Sequence, residues 1–367
     1  MPAEEHGPNR SASPPSQRLA LLGRPVLGGF AVIATAALLA PSGMAAVQVR
    51  SAGRHPIAAP MTQVRKIKIG GTPAQIAIDD RIHAVWVAAF SRLVKISEAT
   101  QKVTATLKIR ANSVAVDTRT ATVWAIDVAS STLIEISEKT NRVIHRYTHL
   151  PGSPQFGGVA TDARTGLAYV STVGTLDEIS EARHRVVRVI SLDAGTDHGG
   201  AGVAVDPARN MIWVNILPDD VGASAGWISQ INGSNGRLIR NYHGFPESVF
   251  DCCVVLAVDS IRGQVWAGDQ GHASIISEAR HRLVRDLRIT PNEFWSAITI
   301  DPRHKIVLIA DANNLFTVSE NSGKILRTVR LFKEPFADAI PDVEVDLNKG
   351  TVYAALLMEG AVAVLKE

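Results

Sequence analysis

The sequence predicts an all-β chain: a seven-bladed β-propeller with four antiparallel strands per blade, its last blade closed by the N-terminal strand. Three observations predict it. An apolar run ending in aspartate recurs at Asp79, Asp117, Asp162, Asp206, Asp259, Asp301 and Asp346. Seven residues after each stands a large apolar residue: Trp86, Trp124, Tyr169, Trp213, Trp266, Leu308 and Tyr353. An Ile-Ser-Glu triplet then follows from Ile96, Ile136, Ile179 and Ile276, with Val318-Ser319-Glu320 as a variant. A period of this size marks a repeat architecture.

Each unit holds four short β-type runs in about 43 residues, a spacing that suits four-stranded blades. The first run ends in the aspartate, as in Ile76-Ala77-Ile78-Asp79. The second carries the large apolar residue. The third ends at the Ser-Glu pair, which in the fourth unit has drifted to Ile231-Asn232-Gly233 after an insertion near Asp219 to Gly226. The fourth centres on Val103, Val143, Val186, Leu238, Leu283 or Ile325. Turn residues such as Asp301-Pro302-Arg303 and Asn321-Ser322-Gly323 separate the runs. The seventh unit stops after its third run, at Val362 to Leu365. Val64 to Ile69 reads like Val103 to Ile109, so this segment is expected to supply the missing strand.

The unit Gly70-Gly71-Thr72-Pro73 to Asp79, with Val85-Trp86-Val87-Ala88 and Ile96-Ser97-Glu98-Ala99-Thr100-Gln101-Lys102-Val103, resembles a YVTN-type (WD40-like) propeller repeat. The resemblance covers residues 61 to 367. It departs in using Trp for the usual Tyr and Ser-Glu for the usual Asp. It implies a seven-bladed ring. It implies no single activity, because such relatives include binding proteins, lactonases and subunits of quinone-dependent dehydrogenases.

Upstream, residues 1 to 25 are polar and rich in Pro and Ser, with Arg18 and Arg24 before an apolar run from Val26 to Ala40. Pro41, Ser42 and Gly43 break the run, and Met44-Ala45-Ala46 offers small residues for cleavage. The run is shorter than the roughly 20 residues that span a bilayer. Residues 1–45 are expected to be a cleaved signal peptide, with a retained anchor as the alternative. Residues 46–60 read as a flexible lead-in and 61–367 as the propeller. The mature protein is then secreted or periplasmic, monomeric and without a stable membrane span.

The formal charge is +3, which argues against wholesale attraction to nucleic acid. That small total hides an asymmetry. Antiparallel strands a, b, c and d put the a–b and c–d turns at one end of the ring and the b–c and d–a loops at the other. At the a–b/c–d end, bases nearly balance the repeat aspartates and glutamates, which read as solvated turn residues with local pairing. The b–c/d–a end holds Asp127, Asp193, Asp197, Asp219, Asp220, Glu247, Asp251, Asp269, Glu293, Asp311, Glu334, Asp338, Asp342 and Glu359, against Arg92, Arg110 and Lys333. A cleft of one sign concentrates ligands of the other. The same loops carry Phe156, Phe250, Phe294, Trp295 and Phe336. Aromatic loop tips add contact area and cation–π attraction, or else plug the wide end of the core.

The candidate ligand contacts are Phe250, Asp251, Asp269, His272, Glu293, Phe294, Trp295, Asp311, Phe336 and Asp338, with Asp269, Glu293 and Asp311 as candidate ligands for Ca or Zn. Cys252-Cys253 precedes the inner strand of the fifth unit. Adjacent Cα atoms lie about 3.8 Å apart, below the usual disulfide span. A vicinal disulfide there needs a distorted loop, and two buried thiols or metal and redox chemistry are the other readings. By analogy, some quinoprotein propellers set such a bond against their quinone. No nucleophile elbow, phosphate-binding loop, dinucleotide fingerprint or His-Glu-x-x-His occurs. The expectation is therefore an exported scaffold that binds a ligand or a basic protein through its acidic end. A metal-dependent lactonase, hydrolase or lyase is the alternative, and a redox-partner subunit is a weaker one.

Overall fold

The computed structural model describes residues 61–366 apart from 128, 155–156, 193–197, 219–225, 244–254, 270, 291–296, 312 and 333–338. The signal and lead-in expectations for residues 1–60 lie outside the described residues. So does Cys252-Cys253.

Seven four-stranded antiparallel sheets form a ring. Blade 1 is β2 (Pro73–Asp79), β3 (Ala84–Ala89), β4 (Arg92–Ser97) and β5 (Lys102–Leu107). Blade 2 is β6 (Ala111–Asp117), β7 (Thr122–Asp127), β8 (Thr132–Ser137) and β9 (Arg142–Tyr147). Blade 3 is β10 (Val159–Asp162), β11 (Leu167–Ser171), β12 (Thr175–Ser180) and β13 (Arg185–Ser191). Blade 4 is β14 (His198–Asp206), β15 (Met211–Pro218), β16 (Trp227–Asn232) and β17 (Leu238–Tyr242). Blade 5 is β18 (Val255–Asp259), β19 (Gln264–Asp269), β20 (His272–Ser277) and β21 (Arg282–Arg288). Blade 6 is β22 (Ala297–Asp301), β23 (Ile306–Ala310), β24 (Asn314–Ser319) and β25 (Ile325–Arg330). Blade 7 is β26 (Val343–Asp346), β27 (Thr351–Leu356), β28 (Ala361–Lys366) and, from the other end of the chain, β1 (Thr62–Lys68). Ile67 faces Val362 across that closing pair. The innermost strands neighbour one another in sequence around the ring, and β26 returns to β2.

The repeat motif is a set of turn and interface devices. Each aspartate ends an inner strand, and its Oδ1 accepts the backbone N–H two residues on, as Arg81 N does on Asp79 at 2.9 Å and Asn348 N on Asp346 at 2.8 Å. The residue four after it adopts a left-handed φ in all seven blades, at His83, Ala121, Gly166, Asn210, Gly263, Lys305 and Gly350. A tight turn followed by one left-handed residue is a common way to reverse a hairpin. In the triplet, Ser97 and Ser137 accept from the third backbone N–H of the c–d turn. The glutamate then enters the interface with the preceding blade. Trp86 Nε1 donates to Glu138 Oε1 at 2.6 Å, Trp124 to Glu181 at 2.9 Å and Trp213 to Glu278 at 2.8 Å. Each link joins the second strand of one blade to the glutamate of the next.

This corrects the expectation that these acids are solvated turn residues. All seven aspartates are at most 1% exposed, and the five glutamates at most 7%. The glutamate must reach inward because its acceptor satisfies an indole that the core has buried. Burial pushes Glu138 up to about 7, with Asp79 of the preceding blade adding to the shift. It pushes Glu278 and Glu320 up to about 8, helped by Asp206 and Asp259. Burial works against the charge on those two aspartates as well. Hydrogen bonding with the glutamate and with Arg209 or Arg262 nevertheless holds both below the usual carboxylate range. Three interfaces depart from the pattern. Gly233 replaces the glutamate that would face Tyr169, whose buried hydroxyl has no partner, Leu308 stands where blade 6 would offer a donor, and the buried indole N–H of Trp266 in blade 5 makes no hydrogen bond.

Two outcomes are expected. Ile67→Ala removes buried closing-strand packing, since Ile67 is 5% exposed, and should cost about 2–5 kcal/mol in urea unfolding. The raised glutamates make a stabilising contribution that is complete below their unfolded value, near 4.3, and lost as pH rises through about 8. The lowered Asp206 and Asp259 contribute above their unfolded value and lose that in acid. Melting temperature should therefore fall between pH 6 and 9, and Glu278→Gln should flatten that fall.

Candidate functional site

The register confirms the sorting of loops by end. Asp79, Ala84 and Ser97 pair at one end of blade 1, and Pro73, Ala89 and Arg92 lie at the other. Of the predicted contacts, Phe250, Asp251, Glu293, Phe294, Trp295, Phe336 and Asp338 lie outside the described residues. Asp269 ends β19 and faces His272 across the b–c hairpin. His272 Nδ1 lies 3.2 Å from Asp286 Oδ2 on its own blade. Asp311 is 5% exposed and turned into its own loop. Its Oδ1 accepts Asn313 N at 2.7 Å and Asn314 N at 2.5 Å, and its Oδ2 accepts Asn314 Nδ2 at 3.0 Å. Asp311 thus acts as the cap of the b–c turn of blade 6.

The strongest arrangement among described residues at this end lies on the inner strand of blade 7. Four residues before the repeat aspartate, three blades carry a side chain that accepts the inner-strand N–H of the next blade. Gln75 Oε1 accepts Val114 N at 2.8 Å, Ser113 Oγ accepts Val159 N at 3.1 Å, and Asp342 Oδ2 accepts Ile76 N at 2.6 Å. Only Asp342 does this with a carboxylate. Two residues before the repeat aspartate the chain has Ala77, Ala115, Ala160, Ala204, Ala257, Thr299 and Glu344. Six small residues and one glutamate form that tier. Thr299 Oγ1 of blade 6 donates to Glu344 Oε2 at 3.3 Å.

Desolvation pushes Asp342 up to about 7, against the two backbone N–H groups that it accepts. Desolvation and the neighbouring Asp342 push Glu344 up to about 8, against the Thr299 hydroxyl. Neighbouring carboxyls with raised values share protons near neutrality. Such a pair can hold a cation or exchange a proton with a bound group. Glu344 was missed because no motif contains it. Its signal is in the sequence all the same, as the one Val-Glu-Val-Asp among inner strands that read Val-Ala-Val-Asp or close to it.

At the same end of the ring, the segment between β1 and β2 touches the b–c turns of both blade 7 and blade 1. Gly360 O accepts Ile69 N at 3.0 Å, and a Cβ on Gly71 would lie 2.6 Å from Ser91 Oγ and 3.3 Å from Ala89 Cβ. On either side of that contact Met358 is 74% exposed and Phe90 39% exposed. Neither belongs to the set of loop aromatics that the sequence singled out.

A second cluster resembles a metal site and is filled by a side chain. His83, Glu98 and Asp346 present ligand atoms within 4.8 Å of one another at the a–b/c–d end. Lys349 Nζ lies among them. It donates to Glu98 Oε2 and to His83 Nδ1, the latter at 2.8 Å, and pairs with Asp346 Oδ2 at 3.4 Å. The ammonium already supplies the positive charge that a metal ion would bring. Arg209 bridges Asp206 and Glu278 in the same way, and Arg262 bridges Asp259 and Glu320.

No family model matches the chain, and no curated protein matches it. Among solved structures, the hydrazine synthase of Kuenenia stuttgartiensis is similar at a TM-score of 0.65 and 15% sequence identity, over 81% of this chain and 96% of that one. At that identity the likeness shows the fold. The class established by blades, ring closure and neighbour together is the seven-bladed β-propeller.

Lys349→Met should destabilise the ring by about 2 kcal/mol. That is less than the 3–5 kcal/mol typical of breaking a buried ion pair, because Lys349 is 38% exposed. The loss should be smaller at pH 5 than at pH 8 in chemical unfolding, since protonation relieves the carboxyls left behind.

Proposed function

We propose that this protein is an exported, YVTN-type propeller that acts as a binding scaffold, taking a cationic ligand or basic partner at its b–c/d–a end. The observation that carries the reading is the Asp342–Glu344 pair, set in the one inner strand that breaks a tier of small residues. At the opposite end the buried acids are engaged by indoles, arginines and Lys349 within the fold. Asp342 and Glu344 instead have backbone N–H groups and a threonine hydroxyl as partners, and among the described residues neither forms an ion pair with lysine or arginine. Cations therefore gain most from that end of the ring, as field focusing in a cleft of one sign requires. Exposed Phe90 and Met358, on b–c turns at that end of the ring, add apolar surface, and both side-chain types suit a binding surface. The repeat resemblance supports the YVTN assignment, and the apolar run from Val26 to Ala40 supports export.

The test is titration of the purified protein with CaCl2, with ZnCl2 and with a hexalysine peptide, read by calorimetry and by melting. A ligand at a hundredfold excess over its Kd raises stability by about 2.7 kcal/mol. At least one probe should bind, and Glu344→Ala should weaken it at least about tenfold, a change of about 1.4 kcal/mol. Glu344→Ala copies the residue found in five other blades and should fold. Failure of all three probes, or equal binding by the variant, would remove this reading.

A further inference from the structure

The interface between blades 3 and 4 has lost one side chain and kept the frame around it. Elsewhere the c–d turn opens with a glutamate whose N–H donates to the left-handed residue of the a–b turn. Glu98 N does so on His83 O at 3.0 Å, Glu138 N on Ala121 O at 2.9 Å and Glu278 N on Gly263 O at 3.0 Å. Gly233 N makes the same bond, on Asn210 O at 2.8 Å. Gly233 is not among the left-handed residues, so its backbone admits a side chain. A Cβ there would lie 2.6 Å from Asn210 Oδ1 and 3.0 Å from Asn210 O, so the Asn210 amide would have to turn aside. The deletion is therefore one of side chain, in a backbone that still follows the repeat.

The donor that the glutamate would meet is in place. Tyr169 is fully buried, and among the described residues nothing accepts its hydroxyl. A tyrosine can make this link, since Tyr353 at the same position of blade 7 hydrogen-bonds with Glu98. Two arginines of blade 3 frame the Tyr169 hydroxyl and reach over to blade 4. Arg164 Nε donates to Pro207 O at 3.0 Å, and Arg188 donates to Gly233 O at 3.5 Å and Ser234 O at 3.3 Å. Each also pairs with an acid of its own blade, Arg164 with Asp162 at 3.4 Å and Arg188 with Glu178 at 3.6 Å. Burial pushes Tyr169 up, Glu178 and Asp162 push it further, and Arg188 and Arg164 pull it back. Two arginines thus balance two acids beside a donor without an acceptor. At the 4/5 interface, where the glutamate is present, Asp206 and Glu278 share the one Arg209. The 3/4 interface can take one more negative charge before it matches its neighbour.

We infer that the seam between blades 3 and 4 is a binding site for a small organic carboxylate, which occupies the position that a glutamate carboxylate holds in the other interfaces. One oxygen accepts the Tyr169 hydroxyl, and the other faces the arginine pair. A carboxylate fits because it is the group that the repeat itself places there, and guanidinium donors match its two oxygens. The side chains of Arg164 and Arg188 are partly exposed, so a ligand reaches buried Tyr169 by moving them rather than the strands. This site lies at the a–b/c–d end, opposite Asp342 and Glu344, and takes a ligand of the opposite charge.

The test is melting of the purified full chain near neutral pH in rising sodium acetate, with sodium chloride holding the ionic strength constant. Acetate should raise the melting temperature above that in chloride and saturate, which gives its Kd. Tyr169→Phe removes only a hydroxyl that nothing accepts and should fold. It should weaken acetate binding at least about tenfold, as loss of a hydrogen bond to a charged group predicts. Gly233→Glu supplies the carboxylate from the chain itself. It should melt higher than the parent in chloride and gain nothing from acetate. The absence of a saturable acetate increment in the parent overturns the proposal. An equal increment in Tyr169→Phe overturns it too, since a general salt effect would act on both. If Gly233→Glu fails to fold, the comparison of parent with Tyr169→Phe decides alone.

Discussion

The ring rests on one repeated contact, in which the aspartate and the indole of one blade meet the glutamate of the next. A four-stranded sheet offers two apolar faces, and in a propeller both are covered by neighbouring sheets. Dispersion and the hydrophobic effect hold such faces together without fixing their angle or register. The directional Trp-to-Glu bond supplies both, at the end of the blade where the turns are tightest. Its cost is a buried acid beside a second buried acid. The protein meets that cost by raising Glu138, with Lys95 nearby, and with arginine or lysine at three other interfaces. A buried ion pair is weak evidence for extra stability. Its value here is orientation, because a hydrogen bond is directional where an apolar contact is not.

Because that contact repeats, its exceptions are informative. A residue that a repeat holds constant for packing and changes once has been released from packing or recruited by something else. Glu344 in the tier of small residues is one such change. Gly233 and Leu308 are changes of the opposite kind, where a link has been given up. Tyr169 is left with a buried hydroxyl that nothing accepts, so the 3/4 interface has its apolar faces without the directional bond. The repeat is its own control, and each exception is judged against six neighbours in the same fold.

The two ends of the ring also divide labour in a way that charge counting alone does not reveal. Acids are abundant at both. At the a–b/c–d end they are buried, paired and structural. At the other end Asp311 caps its own loop, while Asp342 lies close enough to Glu344 on the inner strand to raise it. Carboxylates at the first end thus belong to the scaffold, and those at the second are held by their own loop, by backbone N–H groups and by a threonine hydroxyl. The difference lies in what each oxygen touches.

The sequence by itself determined the strand count, the seven-fold period, the closing strand and the sorting of loops between ends. These follow from local rules, in which strand periodicity, turn residues and a fixed repeat length leave one arrangement that buries every apolar face. It also held the Glu344 exception in plain view. Only the tertiary structure decided which charges are solvated. Asp79 and Glu138 lie 59 positions apart in the chain and meet across two blades, so their burial and the raised value of Glu138 belong to the packing of neighbours. Lys349 filling the His83–Glu98–Asp346 cluster is likewise a contact between blade 7 and blade 1, made only when the ring closes. Spacing along a strand tells which end a side chain occupies. It does not tell what the next blade brings to meet it.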